Sequence, residues 1–195
     1  FPQARVSDHR IALTLHKRAV AAGKKGENLM LSPYSARQAF GMAYLGAAGA
    51  TRAEMAAALS AGPAFEKEEL ELRAALASEK DCVLRVANAL WLKEGFPFLE
   101  SFIARVKEAF AAEVFVRGFG PAALAELNAW AKKQTEGKIP KVLDKLDPLD
   151  RAVLLNAVYF KGKWRTAFPK TQARGGGPRP ETFRPTVGDP FRTEL

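Results

Sequence analysis

The stretch Leu154–Trp164, LLNAVYFKGKW, decides how the rest of the chain is read. Leu, Val, Tyr and Phe crowd its first seven positions, which suits a strand covered on both faces, and Gly162 stops the run. One residue resists that reading. Asn156 carries an amide inside a segment that otherwise reads as fully buried. A buried amide or hydroxyl without partners costs roughly 1–3 kcal/mol, so polar partners are expected elsewhere in the chain. Ser32, Ser35 and Asn88 are likewise embedded in apolar contexts, and the four read as a cluster that satisfies itself beneath a sheet.

Upstream, the hydrophobic period changes repeatedly between helical and strand spacing. A helix is expected from Ser7 as N-cap, with Ile11, Leu15, Ala19 and Ala22 on one face and Gly23 to Gly26 ending it. NLML, 28–31, reads as a short buried strand. Ser32 before Pro33 is a capped helix start, and that helix is expected to bury Ala36, Ala39, Phe40, Ala43 and Tyr44. TRAE, from Thr51 to Glu54, has the spacing of a capping box for a third helix. FEKEELELRAALASEKD, 65–81, predicts a charged helix with Leu70 and Ala74 turned inward. VLRVANALWLK, 83–93, then alternates like a strand, with Leu84, Val86, Asn88, Leu90 and Leu92 on one face. A helix aligning Phe98, Phe102 and Val106 follows, then the strand EVFVRGF, then a helix from Pro121 with Leu124, Leu127, Trp130 and Ala131 on one side. A block of helices followed by strand, helix, strand, helix, strand is an α+β order.

Composition narrows the function classes. The chain has 195 residues, 48% of them hydrophobic, enough for a sizeable core. No apolar run approaches the roughly 18–20 residues of a membrane helix, so no membrane partner is expected. Cys82, the only cysteine, excludes an internal disulfide and a multi-thiolate zinc cage. The net charge of +9 is concentrated at the ends: residues 1–25 carry six Lys or Arg against one acid, and residues 161–195 carry eight against three. The body between them is nearly neutral, so solvated ends are expected rather than a nucleic-acid surface. Beyond Trp164, three consecutive glycines and several prolines read as loop.

No catalytic constellation emerges. His9 and His16 are two helical turns apart, too distant to share a metal unaided. Ser32 lacks a nucleophile elbow, and GKKGE and KGKW lack phosphate-loop spacing. Glu66, Glu68, Glu69 and Glu71 read as a solvated helical face. Neither enzyme activity, a metal nor a cofactor is expected.

NLMLSPYSARQAFGMAYLGAAGATRAEMAAAL, VANALWLKEGFPF, LNAWAKKQTEGKI and LLNAVYFKGKWRTAF together resemble, in order and spacing, the N-terminal half of a serpin over residues 8–171. The resemblance implies that Ser32, Ser35 and Asn156 form the shutter region beneath the centre of the main sheet. It places Trp164 at the breach where that sheet opens, residues 151–161 as the strand lining one side of the gap, and residues 121–139 as the helix across the sheet's face. It further implies a protease inhibitor, extracellular by family habit, whose exposed bait loop is attacked by a serine or sometimes cysteine protease. The cleaved loop then inserts into the sheet as a new strand.

The family's bait loop and the strand on the far side of the gap belong to its C-terminal half, which these residues do not match. The tail from Arg174 follows the family pattern only loosely, at Thr182 and Phe183. The expected organisation is therefore residues 1–173 as the N-terminal portion of one serpin-like domain and 174–195 as a divergent Gly/Pro-rich basic tail, the whole a fragment or disrupted gene product that does not inhibit alone. Two other functions stay open: a non-inhibitory binding or carrier scaffold, and a polyanion binder acting through the basic ends. Against the last, the 65–80 helix, where heparin-responsive relatives often place basic residues, is mainly acidic here.

Overall fold

A computed structural model of the chain describes residues 6–23, 29–78, 82–147, 149–164 and 166. Six helices and three strands follow in the order α1 (Val6–Ala22), α2 (Pro33–Gly46), α3 (Gly49–Leu59), α4 (Phe65–Ala77), β1 (Cys82–Lys93), α5 (Glu100–Phe110), β2 (Glu113–Arg117), α6 (Pro121–Gln134) and β3 (Ala152–Gly162).

The strands form one sheet in the order β2-β1-β3, with β1 central. β2 lies parallel to the C-terminal half of β1, while β3 runs antiparallel along all but the last residue of it, pairing Cys82 with Gly162 and Leu92 with Ala152. Because side chains alternate across a strand, β1 divides its residues between two cores. Leu90 and Leu92 pack with Met42, Phe65, Val106 and Phe110 from α2, α4 and α5. Ala89 and Trp91 pack with Leu127, Trp130 and Ala131 of α6 on the opposite face, where Trp91 stacks on Phe115 at 4.3 Å and meets Trp130 edge-on at 5.7 Å. The result is a sheet sandwiched between a helical block and a single crossing helix, an α+β arrangement.

Several expectations are corrected. The face of α2 is rotated: Arg37, Gln38, Gly41, Met42, Tyr44 and Leu45 are buried, whereas Phe40 is 55% exposed. The rotation is possible because Arg37 and Gln38 find polar partners inside. Gly41 fits here because a Cβ at that position would lie 2.7 Å from Phe110 Cζ and 3.1 Å from Phe65 Cζ. The TRAE capping box does not form. Ala48 is the N-cap of α3 and supplies no side-chain bond, so Thr51 falls inside the helix. On α4, Leu70 and Ala74 face solvent while Phe65 and Glu69 are buried, so Glu69 leaves the solvated acidic face assigned to it. Leu29, Met30 and Leu31 are exposed and outside any strand, since no strand among the described residues pairs with them. β3 is partly rather than fully buried, because it pairs with β1 on one edge and with no described strand on the other.

Candidate functional site

The centre of the sheet holds the polar residues that the sequence singles out, and the antiparallel register explains why. Asn88 and Asn156 are direct cross-strand partners on the face of β1 and β3 that looks toward α2. Asn156 Nδ2 donates to Asn88 Oδ1 at 2.8 Å and lies 3.5 Å from the Ala87 carbonyl oxygen. Asn88, 3% exposed, passes the connection on: its Nδ2 donates to the Phe110 carbonyl oxygen at 2.8 Å and to Gln38 Oε1 at 3.2 Å. Gln38 Nε2 in turn donates to Glu69 Oε2 at 2.7 Å, and Glu69 Oε1 accepts from Arg37 Nε at 2.8 Å. Arg37 also donates through Nη1 to the Leu59 carbonyl oxygen at 2.9 Å and sits 5.1 Å from the Phe65 ring centroid.

Five side chains thus run without interruption from the edge strand to α4: Asn156, Asn88, Gln38, Glu69, Arg37. A hydrogen-bonded network of this kind fixes the relative placement of the elements it joins. It leaves one gap at its sheet end, since Asn156 Oδ1 is buried without a hydrogen-bond partner.

Ser32 and Ser35 form a second group. Ser32 caps α2, its Oγ accepting the Ser35 N–H at 3.2 Å, and the two hydroxyls are 2.8 Å apart. Among the described residues, no hydrogen bond joins this serine pair directly to Asn156. The two groups are neighbours through α2: Ser32 and Arg37 line a cavity of about 400 Å³ with Leu84 and Val158, the latter one strand repeat from Asn156. Trp164 lies two residues past the end of β3 and is 76% exposed.

Sequence reasoning missed Arg37, Gln38 and Glu69. A signal for Glu69 was present, because Phe65, Glu69, Leu72 and Leu76 share the helical spacing of a single stripe and both leucines line the cavity beneath the sheet. Next to this group, the Tyr34 hydroxyl is pushed up to about 12, first by burial and then by the Glu69 carboxylate, and so stays protonated. Outside the network, Arg105 donates to both oxygens of Glu66 at 3.0 and 2.6 Å, and holds that carboxyl below its usual range. Among the described residues no cluster of three or more His, Cys, Asp or Glu could hold a metal ion.

Comparison with known proteins agrees with the architecture. The profile of the family described as Serpin (serine protease inhibitor) matches residues 7–177. An uncharacterised serpin-like protein of Thermococcus kodakarensis is 36% identical over 169 residues, covering 83% of this chain and 38% of the relative. The leukocyte elastase inhibitor of Bos taurus is 38% identical over 152 residues, covering 72% of this chain and 39% of the relative. The crystal structure of tengpin, a thermophilic serpin in the latent state, superimposes with a TM-score of 0.74 at 31% identity, over 85% of this chain and 45% of that one. The chain therefore spans less than half the length of these relatives. Matched by the family profile over residues 7–177 and by the fold of a solved serpin over 85% of its length, the chain belongs to the serpin family.

Proposed function

We propose that these residues are the sheet-bearing half of a protease inhibitor that works by admitting a cleaved loop as an extra strand. The observation that carries the reading is β3: eleven residues long, apolar over most of its length, paired along one edge only among the described residues, with Asn156 near its middle. A strand with an open edge adds a neighbour readily, through main-chain hydrogen bonds that the added strand completes. The Asn156–Asn88 pair sits where such a neighbour would arrive and fastens β3 to β1, so that insertion proceeds along a fixed register. Ser32 and Ser35 stiffen the start of α2 beneath it, and Trp164 marks the end of β3 at which the sheet parts. The target is a serine, or sometimes cysteine, protease, met outside the cell.

On this reading the 195 residues supply sheet strands, and the bait belongs to the part of the family that they do not match. Incubated with a serine protease, they are expected to form no complex that survives denaturing electrophoresis. The longer gene product read from the DNA around them is expected to form one, at a ratio near one to one. An adduct formed by the 195 residues alone, or a longer product that is merely cut, would overturn the proposal; the second outcome would favour a carrier scaffold.

A further inference from the structure

Between α4 and the N-terminal half of β1 lies a cavity of about 260 Å³, lined by Tyr34, Arg73, Leu76, Leu84, Arg85 and Val86. Its charge is unusual for so small a space. Arg73 Nη1 is buried and has no hydrogen-bond partner. The buried acid one turn earlier on α4, Glu69, accepts from Arg37 and Gln38 and makes no hydrogen bond to this Nη1. Arg85 also lines the cavity, and its guanidinium is paired with Glu136 and lies 5.7 Å from the Tyr159 ring centroid. Tyr34 keeps its proton at neutral pH, so its hydroxyl is a donor rather than an anion.

A buried guanidinium nitrogen without a partner is costly, and a natural complement of a guanidinium is a carboxylate. The remaining walls are hydrocarbon, from Leu76, Leu84 and Val86. The volume is below that of cavities that hold drug-sized molecules, which limits the occupant to a short chain or a single ring. We propose that this cavity binds a small apolar monocarboxylate, its carboxylate paired with Arg73 and its hydrocarbon body against Leu76, Leu84 and Val86. Such an occupant would bridge α4 and β1 beside the buried polar chain, at a site separate from the open edge of β3.

The test uses hexanoate, with uncharged hexanamide as its isostere, on the 195-residue chain. Hexanoate is expected to raise the melting temperature in a concentration-dependent way and to shift the methyl resonances of Leu76, Leu84 and Val86, with hexanamide doing neither. Arg73→Met should weaken hexanoate binding by about tenfold or more, as loss of a charge-assisted pair implies. Leu84→Phe, which fills the cavity and leaves the charge, should weaken it independently. Equal effects of hexanoate and hexanamide, an absence of shifts at these methyl groups, or an affinity retained in both variants would overturn the proposal.

Discussion

Removing the Glu69 carboxylate tests whether the buried chain holds the helical block to the sheet. In Glu69→Leu the volume is roughly kept, but Arg37 Nε and Gln38 Nε2 lose their acceptor inside the protein. The side chains of Arg37 and Glu69 are 6% and 1% exposed, so water cannot replace the lost partner without opening the packing around Phe65. Breaking a buried ion pair from one side costs about 3–5 kcal/mol, and the orphaned Gln38 amide adds about 1 kcal/mol. Domains are stable by only about 5–15 kcal/mol, so the variant should sit near the edge of folding. At about 2–4 °C per kcal/mol for a chain of this size, the melting temperature should fall by roughly 8–24 °C. The double variant Arg37→Met/Glu69→Leu removes both charges together and should recover to within about 2 kcal/mol of the parent, because well-packed hydrophobic replacements of a buried pair are often neutral. Urea denaturation followed by far-ultraviolet circular dichroism gives both numbers, provided the slope of the transition is unchanged. A Glu69→Leu variant within about 1 kcal/mol of the parent, or a double variant no better than the single one, would refute the reasoning.

Three further outcomes are expected. Asn88→Ala should cost about 1–3 kcal/mol in urea denaturation, since it strands the Phe110 carbonyl and the Asn156 and Gln38 amides together; a change under about 0.5 kcal/mol would mean that the network is slack. Gly41→Val should destabilise by about 1–3 kcal/mol through overpacking against Phe110 and Phe65, and Phe110→Leu in the same chain should recover part of the loss if the contact is the cause. Arg105 depresses the folded-state titration of Glu66, so this pair stabilises the fold above the unfolded carboxylate value of about 4.3 and is lost as pH falls through the depressed folded value. Glu66→Gln should therefore flatten the stability curve below about pH 4.5 while changing stability at pH 7 by less than about 1 kcal/mol, the pair being more than a third exposed; an unaltered acid limb would contradict the assignment.

The sheet was the most legible part of the fold, because alternation along β1 is strict enough to assign every side chain to a face. Its ends fall within one residue of expectation, as do those of β3. Ser32 and Pro33 marked the start of α2 for a local reason, the cap and the missing N–H, and local chemistry survives any tertiary context. What failed depended on neighbours. The faces of α2 and α4 were assigned by hydrophobicity, which places Arg37, Gln38 and Glu69 outside; their burial follows from mutual pairing across 31 or 32 residues of chain, and no single helix shows it. The same holds for Phe40, Met30 and Leu31, whose apolar side chains read as core yet lie exposed on the described residues.

Of the polar residues expected to meet Asn156, Asn88 bonds it directly while Ser32 and Ser35 do not among the described residues, and the difference has mechanical content. A latch made of Ser32, Ser35 and Asn156 alone would tie β3 to the start of α2. The observed bonds instead tie β3 to β1 through Asn88, tie β1 to α2 through Gln38, and tie α2 to α4 through Glu69. Each junction between elements is crossed by a directional bond to a buried partner, whereas apolar contacts at the same places would tolerate sliding by a fraction of a side chain. On the proposed reading β3 has to resist slipping against β1 when a neighbour is added, since a shift of one residue would exchange its two faces and put Leu154 and Asn156 on the side of α6. The amide pair supplies that resistance where both strands carry an amide side chain on the face toward α2.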